Sequence, residues 1–418
     1  MGNDIFMSGK LVSSIKRFLK HPLFLSFYLP SFLVALAWGV RTPVLPLYAH
    51  NLTARYSLVG IVVAGASLGT LITDLPAANY IGRMDRRLAM ALGIGLDAAG
   101  TLALFWVDSV WLAILLRFLG GVGHAVFSIA RHAYITDAVR VEMRGRALSL
   151  MGGTLRAGLF IGPAIGGIIA DRFNLRLPFV GFAVISLVAI VVIGLSKDQH
   201  ETQSYQLRNG DADDVSLRHA LKGRLGLFTI ASLGNVLVMV AAAGESLILP
   251  LWGADQLMLS AEQIGWAVSL SSAFSLLLFY PVGLMMDRVG RKAVIVPSAI
   301  VLGVGLGLLP LTNGFAGFLL AGSLIGLGYG LGSGAILVLG SDLSPKAGRS
   351  AYLGAWRWVT DVGSSGGPVI VGWVAEVLAL PFAALTIAGA GVLAGVVFGL
   401  FVPETLKKPG GESEQEVN

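Results

Sequence analysis

Long apolar runs separated by short polar segments dominate this chain. A helix needs about 20 mostly apolar residues to cross the hydrocarbon core of a bilayer. The pattern therefore predicts an all-α membrane protein with twelve transmembrane helices, numbered 1 to 12 in chain order. These runs lie near residues 24–50, 57–80, 88–107, 111–137, 147–171, 177–195, 226–253, 262–285, 293–312, 316–341, 350–374 and 380–402.

One long polar stretch, residues 196–225, divides these helices into two sets of six. We predict an N-terminal six-helix bundle at 1–195, a cytoplasmic linker at 196–225, and a C-terminal six-helix bundle with a short tail at 226–418. Within the first region, residues 10–20 alternate basic and apolar side chains, a pattern typical of an amphipathic helix lying on a membrane surface.

The positions of Lys and Arg predict the orientation of the chain. Basic residues concentrate in cytoplasmic loops of membrane proteins. When both termini are placed inside, only Arg55, Arg172 and Arg176 of the 30 basic residues fall in outer loops. We therefore expect an N-in, C-in topology.

The two halves repeat each other at an offset of about 205 residues. The Gly-Pro pair of helix 5 recurs in helix 11, and the charged loop after helix 2 recurs after helix 8. A parallel six-helix repeat implies two bundles related by an axis along the membrane normal. This architecture predicts alternating access, with a substrate site near the midplane between the bundles. Matching positions include Asp137 with Asp342, Arg144 with Arg349, and Gly162-Pro163 with Gly367-Pro368.

Composition excludes several other functions. Charged residues make up 13% of the chain, whereas soluble proteins average about 25%. The basic residues lie in short loops rather than on a soluble face, so nucleic acid is not an expected partner. The chain has no cysteine, no phosphate-binding G-x-x-x-x-G-K-[ST] and no H-E-x-x-H. We expect neither an enzyme nor an ATP-driven pump, and no metal or cofactor.

Three motifs carry a family resemblance. The loop from Gly283 through Asp287-Arg288 to Gly290-Arg291-Lys292 has the form G-x-x-x-D-R-x-G-R-K. A motif similar to R-x-x-x-G begins at Arg117 in helix 4. Helix 5 carries a Gly/Pro motif made of Gly158, Gly162, Pro163, Gly166 and Gly167. At these residues the chain resembles the major facilitator superfamily, and specifically its twelve-helix drug:proton antiporter branch.

The resemblance implies a proton-coupled antiporter that exports small amphipathic or apolar compounds by alternating access. The proton gradient would be its energy source, and protons, the substrate and membrane lipids its partners. We expect a monomeric, multi-pass protein of the bacterial cytoplasmic (inner) membrane. An alternative is a transporter of an organic anion, sugar or lipid-like solute. A non-transporting receptor is disfavoured because such a protein would be expected to carry a long cytoplasmic domain.

The resemblance also implies a conformational gate at the charged loops. In the first half the family's Asp position is occupied by Gly82, and Asp85 stands where the family has Gly. Asp85 either replaces the missing carboxylate or leaves a weaker lock. The gate residues that the resemblance implies are Asp74, Arg83, Asp85 and Arg86 in the first half, and Asp287, Arg288 and Arg291 in the second.

Charged residues within membrane helices are costly, at about 2.5–3.5 kcal/mol each on insertion scales, and each requires a role. By the repeat, Arg41 corresponds to Glu245 and Arg156 to Asp361. We predict that Arg156 and Asp361 act across the interface between the halves. Asp97, in a helix that is usually peripheral, is better explained by structural pairing.

We predict that Glu245 or Asp361 carries the coupled proton, with Arg117 assisting. Asp361 has a structural alternative, an ion pair with Arg357 one helical turn earlier. Arg117 also has a structural alternative, in which it is a buried packing residue that donates hydrogen bonds to carbonyl groups. For Glu245 no basic residue lies within a helical turn, so it requires a partner from another helix or a proton.

The predicted substrate cavity contains two arginines, a histidine and two tryptophans. A histidine can titrate near neutral pH, although a lone helix histidine also occurs as an ordinary hydrogen-bonding residue. The tryptophans offer stacking surfaces, or else belong to the interfacial aromatic belt, which we favour for Tyr48 and Trp252. The helix 5 glycines allow either a bend or a tight packing seam. The cavity residues are Arg41, Arg156, His124, Trp38 and Trp356.

Overall fold

The computed structural model describes residues 23–81, 84–140, 143–196, 217, 221–332 and 334–406. These residues form helices and their connections, with no strand among them. The predicted surface segment at 10–20 and most of the 196–225 linker lie outside the described residues. Those two assignments stay predictions.

The twelve predicted helices are present, and two of them are built from shorter pieces. Helix 1 comprises Phe24–Tyr28, Leu29–Arg41 and Val44–Leu52, and helix 10 comprises Gly314–Gly332 and Ala335–Leu343. The other helices are, in order, Tyr56–Ile81, Arg86–Ala103, Val110–Ala138, Arg144–Arg172, Leu177–Leu195, Leu225–Leu251, Ala261–Arg288, Lys292–Leu308, Arg349–Val377 and Leu380–Phe401.

Eleven helices of the described chain are long and apolar enough to cross a membrane. The remaining one, helix 11, has 29 residues, which corresponds to about 44 Å at 1.5 Å per residue. It is long enough to cross, but it carries Arg357, Asp361 and Glu376. These charges account for its lower hydropathy. The structure thus confirms the predicted twelve-helix architecture.

Equivalent ion pairs in the two halves confirm the internal repeat. Arg86 Nε lies 3.4 Å from Asp137 Oδ2, which joins the start of helix 3 to the end of helix 4. Arg291 Nε lies 2.9 Å from Asp342 Oδ2 and joins helices 9 and 10 in the same way. Each residue of the second pair lies 205 positions after its counterpart.

The glycines of helix 5 form a packing seam against helix 1. A Cβ added at Gly162 would lie 2.5 Å from the Leu36 carbonyl oxygen and 2.6 Å from Gly39 Cα. Gly367 of helix 11 is similarly close to helix 7, where its Cβ would lie 2.6 Å from Val240 O. Glycines therefore pack closely against a neighbouring helix in both halves, and helix 5 continues through Pro163.

A second set of glycines joins the two halves. Gly167 of helix 5 meets Gly265 of helix 8, with 2.9 Å between an added Cβ at either residue and the other's Cα. At the equivalent place Gly372 of helix 11 meets Gly60 of helix 2. An added Cβ at Gly372 would lie 3.1 Å from Gly60 Cα, and one at Gly60 would lie 3.3 Å from Gly372 Cα. These four residues obey the 205-residue offset. Helix pairs 5/8 and 2/11 thus make two pseudo-symmetric contacts between the bundles.

The apolar core shows on which side the bundles meet. One buried cluster contains residues from both halves, including Tyr48, Phe179, Trp252 and Phe318, all near the ends that the charge distribution places outside. The clusters near the other ends each belong to one half. The two bundles are therefore closed against each other on the outer side.

Candidate transport cavity

A cavity of about 230 Å³ lies between the two halves. Helix 5 of the first half and helices 7, 8 and 10 of the second half supply most of its wall. The wall combines aliphatic side chains with several hydroxyl groups, one guanidinium and one carboxyl group. Its main polar members are Arg156, Glu245, Ser246, Ser271, Ser272, Ser275 and Tyr329.

Glu245 presents its carboxyl group to this cavity from helix 7. Its Oε1 accepts a hydrogen bond from Ser271 Oγ at 3.2 Å. The ion pairs found among the described residues do not include Glu245. A carboxyl group in an apolar wall with one hydroxyl partner can gain a proton or bind a cation when either becomes available.

Arg156 faces the cavity from helix 5 and rests against helix 8 of the other half. Its Nη1 lies 3.5 Å from Ser275 Oγ. Its guanidinium carbon lies 4.5 Å from the centre of the Phe279 ring, within the range of a cation–π contact. The guanidinium is thus held at the interface by contacts with the opposite half.

A second cavity, of about 260 Å³, lies between helices 2 and 4 of the first half and helix 11 of the second. Arg357 Nη2 lies 2.7 Å from Asp74 Oδ2 and forms an ion pair across the halves. Asp361, His132 and Trp358 line the same space. The structural alternative for Asp361, an ion pair with Arg357, does not occur here, because Arg357 pairs with Asp74.

The predicted partners Arg156 and Asp361 do not meet. Arg156 lines the first cavity and contacts helix 8, whereas Asp361 lines the second. The repeat equates their positions along the chain, but equivalent residues about a two-fold axis need not approach each other. The predicted direct pair is therefore corrected.

Three residues predicted for the substrate cavity lie inside the first half instead. Arg41 Nη1 donates to Asp97 Oδ1 and to Thr101 Oγ1, both at 2.8 Å. Trp38 Nε1 donates to Asp97 Oδ2 at 3.2 Å, and its ring lies 4.4 Å from that of His124. Asp97 is buried, and an ionised carboxylate away from water requires such donors.

Arg117 belongs to the same internal cluster. Its side chain is 4% exposed and its Nη1 lies 3.6 Å from Asp97 Oδ1. The structural pairing predicted for Asp97 is confirmed, since two arginines from helices 1 and 4 surround it. The role of Arg117 in proton coupling stays a prediction, and any such role would act from within the first half.

The remaining predicted aromatic residue is also a structural one. Trp356 is buried, and its Nε1 donates to the Ile336 carbonyl at 3.1 Å. Tyr48 and Trp252, expected in the interfacial belt, are buried as well. Tyr48 donates to carbonyl groups at the outer end of helix 3, and Trp252 donates to Thr312. Their polar atoms therefore have partners inside the protein rather than at the lipid surface.

The first-half loop contains one of the expected gate groups in a capping position. Asp85 Oδ1 accepts from the Leu88 backbone N–H at 2.8 Å and caps helix 3. This contact is local, so Asp85 does not take the family's cross-half role in this conformation. Arg83 lies outside the described residues.

In the second-half loop, Asp287 is 76% exposed and lies 3.5 Å from Arg291. Arg288 is also exposed. Glu404, beyond helix 12, accepts from the backbone N–H groups of Arg291 and Lys292 at 2.9 and 3.0 Å. Partial burial raises the pKa of Glu404, but these and two further backbone hydrogen bonds outweigh it, so the pKa is lowered overall.

The sequence did not predict the polar contacts on the outer side. Asp255 accepts from Tyr56 at 2.9 Å and lies 3.6 Å from His50 Nε2. Glu376 accepts from Arg55 Nε at 3.0 Å and from the Ser57 backbone at 2.8 Å. Each contact joins opposite halves. The sequence indicated these contacts only weakly, by placing acidic residues near the outer loops. The same loops hold a few basic or hydroxyl side chains.

Comparison with known proteins identifies the family. A model described as Major Facilitator Superfamily matches residues 27–240 and 231–417. The chain therefore belongs to this superfamily, and it is a multi-pass membrane transporter.

Relatives of known sequence are similar at low identity. An uncharacterized MFS-type transporter of Methanocaldococcus jannaschii is 21% identical, with 84% of this chain and 91% of the relative covered. Multidrug resistance protein 2 of Bacillus subtilis is 26% identical over 63% of this chain and 66% of the relative. Quinolone resistance protein NorA of Staphylococcus aureus is 23% identical, with 84% and 89% covered.

Solved structures share the fold. The nucleoside transporter NupG has a TM-score of 0.73 at 14% identity, covering 90% of this chain and 98% of that one. A D-xylose-proton symporter has a TM-score of 0.70 at 16% identity, covering 92% and 99%. At these identities the likeness establishes the fold and leaves the substrate open.

Proposed function

We propose that this transporter is a proton-coupled antiporter that exports small amphipathic or apolar compounds from the cytoplasm across the bacterial inner membrane. The observation that carries the proposal is Glu245, a carboxyl group in the wall of a cavity between the halves. Multidrug resistance protein 2 and NorA, by their names, support export as the direction. The helix 5 glycine motif supports the same branch.

The proposed cycle uses the two bundles as rigid bodies. In the described conformation the outer side is closed by helix pairs 5/8 and 2/11, so substrate enters from the cytoplasm. Opening the outer side requires these contacts to separate and the cytoplasmic sides to approach. In the outward-open state Glu245 would take up a proton as the substrate leaves. In the inward-open state it would release that proton to the cytoplasm as the next substrate molecule binds.

A second candidate is transport of an organic anion, for which Arg156 is the supporting observation. A guanidinium in the cavity wall can bind a carboxylate or phosphate through charge-assisted hydrogen bonds. In that case removal of Arg156 would abolish transport, while neutralising Glu245 would leave the anion's affinity unchanged.

Proteoliposomes test the main proposal. A panel of amphipathic compounds is added to vesicles loaded at acid pH, and the external pH change is recorded as each compound enters. We expect compound-dependent proton release in the wild type and its loss in Glu245→Gln. Retention of full proton coupling in Glu245→Gln and in Asp361→Asn would remove both carboxyl groups as carriers.

A further inference from the structure

The central cavity brings together opposite charges from opposite halves. Arg156 reaches it from helix 5 and Glu245 from helix 7. Both side chains contact helix 8. Ser271 donates to Glu245 at 3.2 Å, and Ser275 Oγ lies 3.5 Å from the Arg156 guanidinium.

Helix 8 therefore sets the spacing between the two charges. Ser271 and Ser275 are four residues apart, which places their hydroxyls on one face with a rise of about 6 Å. Glu245 contacts the first of these serines and Arg156 the second. The two hydroxyls that contact the carboxylate and the guanidinium thus lie about one helical turn apart, with Ser271 toward the outer end.

We propose that this cavity binds a zwitterion, with the ligand's ammonium group on Glu245 and its carboxylate on Arg156, the two charges being separated by about one helical turn. The inference rests on the proposed function only in taking the cavity as the substrate site. Aliphatic wall residues such as Leu159, Leu249 and Val268 lie beside these groups and suit an apolar spacer.

Other ligand classes fit the wall less well. A neutral sugar would give neither Glu245 nor Arg156 an oppositely charged partner, so it would not use the two charged groups of the wall. A simple cation would engage Glu245 alone, and a simple anion Arg156 alone. An α-amino acid carries both charges, but its ammonium and carboxylate groups share one carbon atom, so it would contact Glu245 and Arg156 with poorer geometry than a ligand whose charges lie a turn apart.

A bridging ligand also has a consequence for the conformational cycle. Arg156 belongs to the first half and Glu245 to the second, so a zwitterion would link the bundles through its two ends. Its ammonium would compete with a proton for the same carboxylate. Glu245 could then hold either the ligand's ammonium group or a proton, so binding of the ligand would accompany release of the proton.

Matched ligands test the inference without any gradient. Purified full-length protein in lipid nanodiscs is titrated calorimetrically with 4-(aminomethyl)benzoate, whose para substituents place the charges about a turn apart. Three comparison ligands are used: its methyl ester (a cation), its N-acetyl derivative (an anion) and its isomer phenylglycine (an α-amino acid). We expect each of the three to bind at least about tenfold more weakly, because each loses or weakens one charge-assisted contact.

Two variants assign the ends of the ligand. Glu245→Gln should remove the preference for the zwitterion over the N-acetyl anion, and Arg156→Gln the preference over the ester. Arg172→Gln, at the exposed outer end of helix 5, and Glu262→Gln, at the start of helix 8, are matched controls that should keep both preferences.

Three results would overturn the inference: equal affinity for the zwitterion and either singly charged derivative, equal affinity for phenylglycine, or no saturable binding of the zwitterion. Proton-driven export of other amphipathic compounds would still stand in each case. Conversely, selective zwitterion binding without any proton-driven transport would refute the proposed function and leave this site intact.

Discussion

Replacing Gly265 with alanine should force open the outer side of the transporter. The new Cβ would lie 2.5 Å from the Pro163 carbonyl oxygen and 2.9 Å from Gly167 Cα. Both neighbours are backbone atoms, so helices 5 and 8 must separate. Overpacking of this kind costs about 1–3 kcal/mol. If the cost falls on the closed state alone, the outward-open population rises about 5- to 150-fold.

Spin-label distances across the outer mouth measure this shift. The chain has no cysteine, so cysteines can be placed at exposed Phe173 in the first half and exposed Leu378 in the second. Gly153→Ala is the matched control, because it lies on helix 5, the partner of helix 8 in this contact, and an added Cβ there meets nothing within 4 Å. A distance distribution for Gly265→Ala identical to that of Gly153→Ala would refute the reasoning.

Three further predictions concern charged groups. Asp97→Asn removes the counter-ion shared by two buried arginines and should lower the free energy of unfolding by about 3–5 kcal/mol. Urea unfolding in detergent measures this loss, and an unchanged unfolding midpoint would contradict the cluster's structural role. Asp74→Asn should weaken the cross-half contact with Arg357 and lengthen spin-label distances at the cytoplasmic mouth, whereas unchanged distances would show that this ion pair does not restrain it. Glu404→Gln should lower the Tm at neutral pH, because the pKa of Glu404 is lowered in the folded protein. The stability that the ionised carboxylate contributes is fully present above the ordinary Glu pKa of about 4 and is lost as the pH falls through the folded-state pKa. The Tm gap should therefore close in acid, and a pH-independent gap would exclude the ionised carboxylate as its source.

Hydropathy and repetition allowed the twelve helices and the two halves to be predicted, because the first depends on neighbouring residues and the second on comparing two stretches of the same sequence. The equivalence of Asp137 and Asp342 also followed from the repeat alone. These features need no knowledge of how each helix is rotated about its axis.

Helix rotation is what separated the predicted residues that line a cavity from those that pack inside one bundle. Arg41 and Glu245 are equivalent in the repeat, yet Arg41 turns inward toward Asp97 and Glu245 faces the cavity. Packing against neighbouring helices sets such rotation, and the sequence of one helix does not contain it. The i, i+4 spacing of Ser271 and Ser275 was the one signal that could have marked the helix 8 face in advance.

The most direct test of the central claim is uptake of an amphipathic compound into inside-out vesicles whose interior is acidified. The account predicts that the compound accumulates against its concentration gradient in the wild type while protons leave, and that collapsing the pH gradient abolishes this accumulation. It also predicts that Glu245→Gln allows exchange of the compound without accumulation. Accumulation in the wild type that survives collapse of the pH gradient would contradict proton-coupled export, and accumulation by Glu245→Gln equal to the wild type would contradict the role of Glu245.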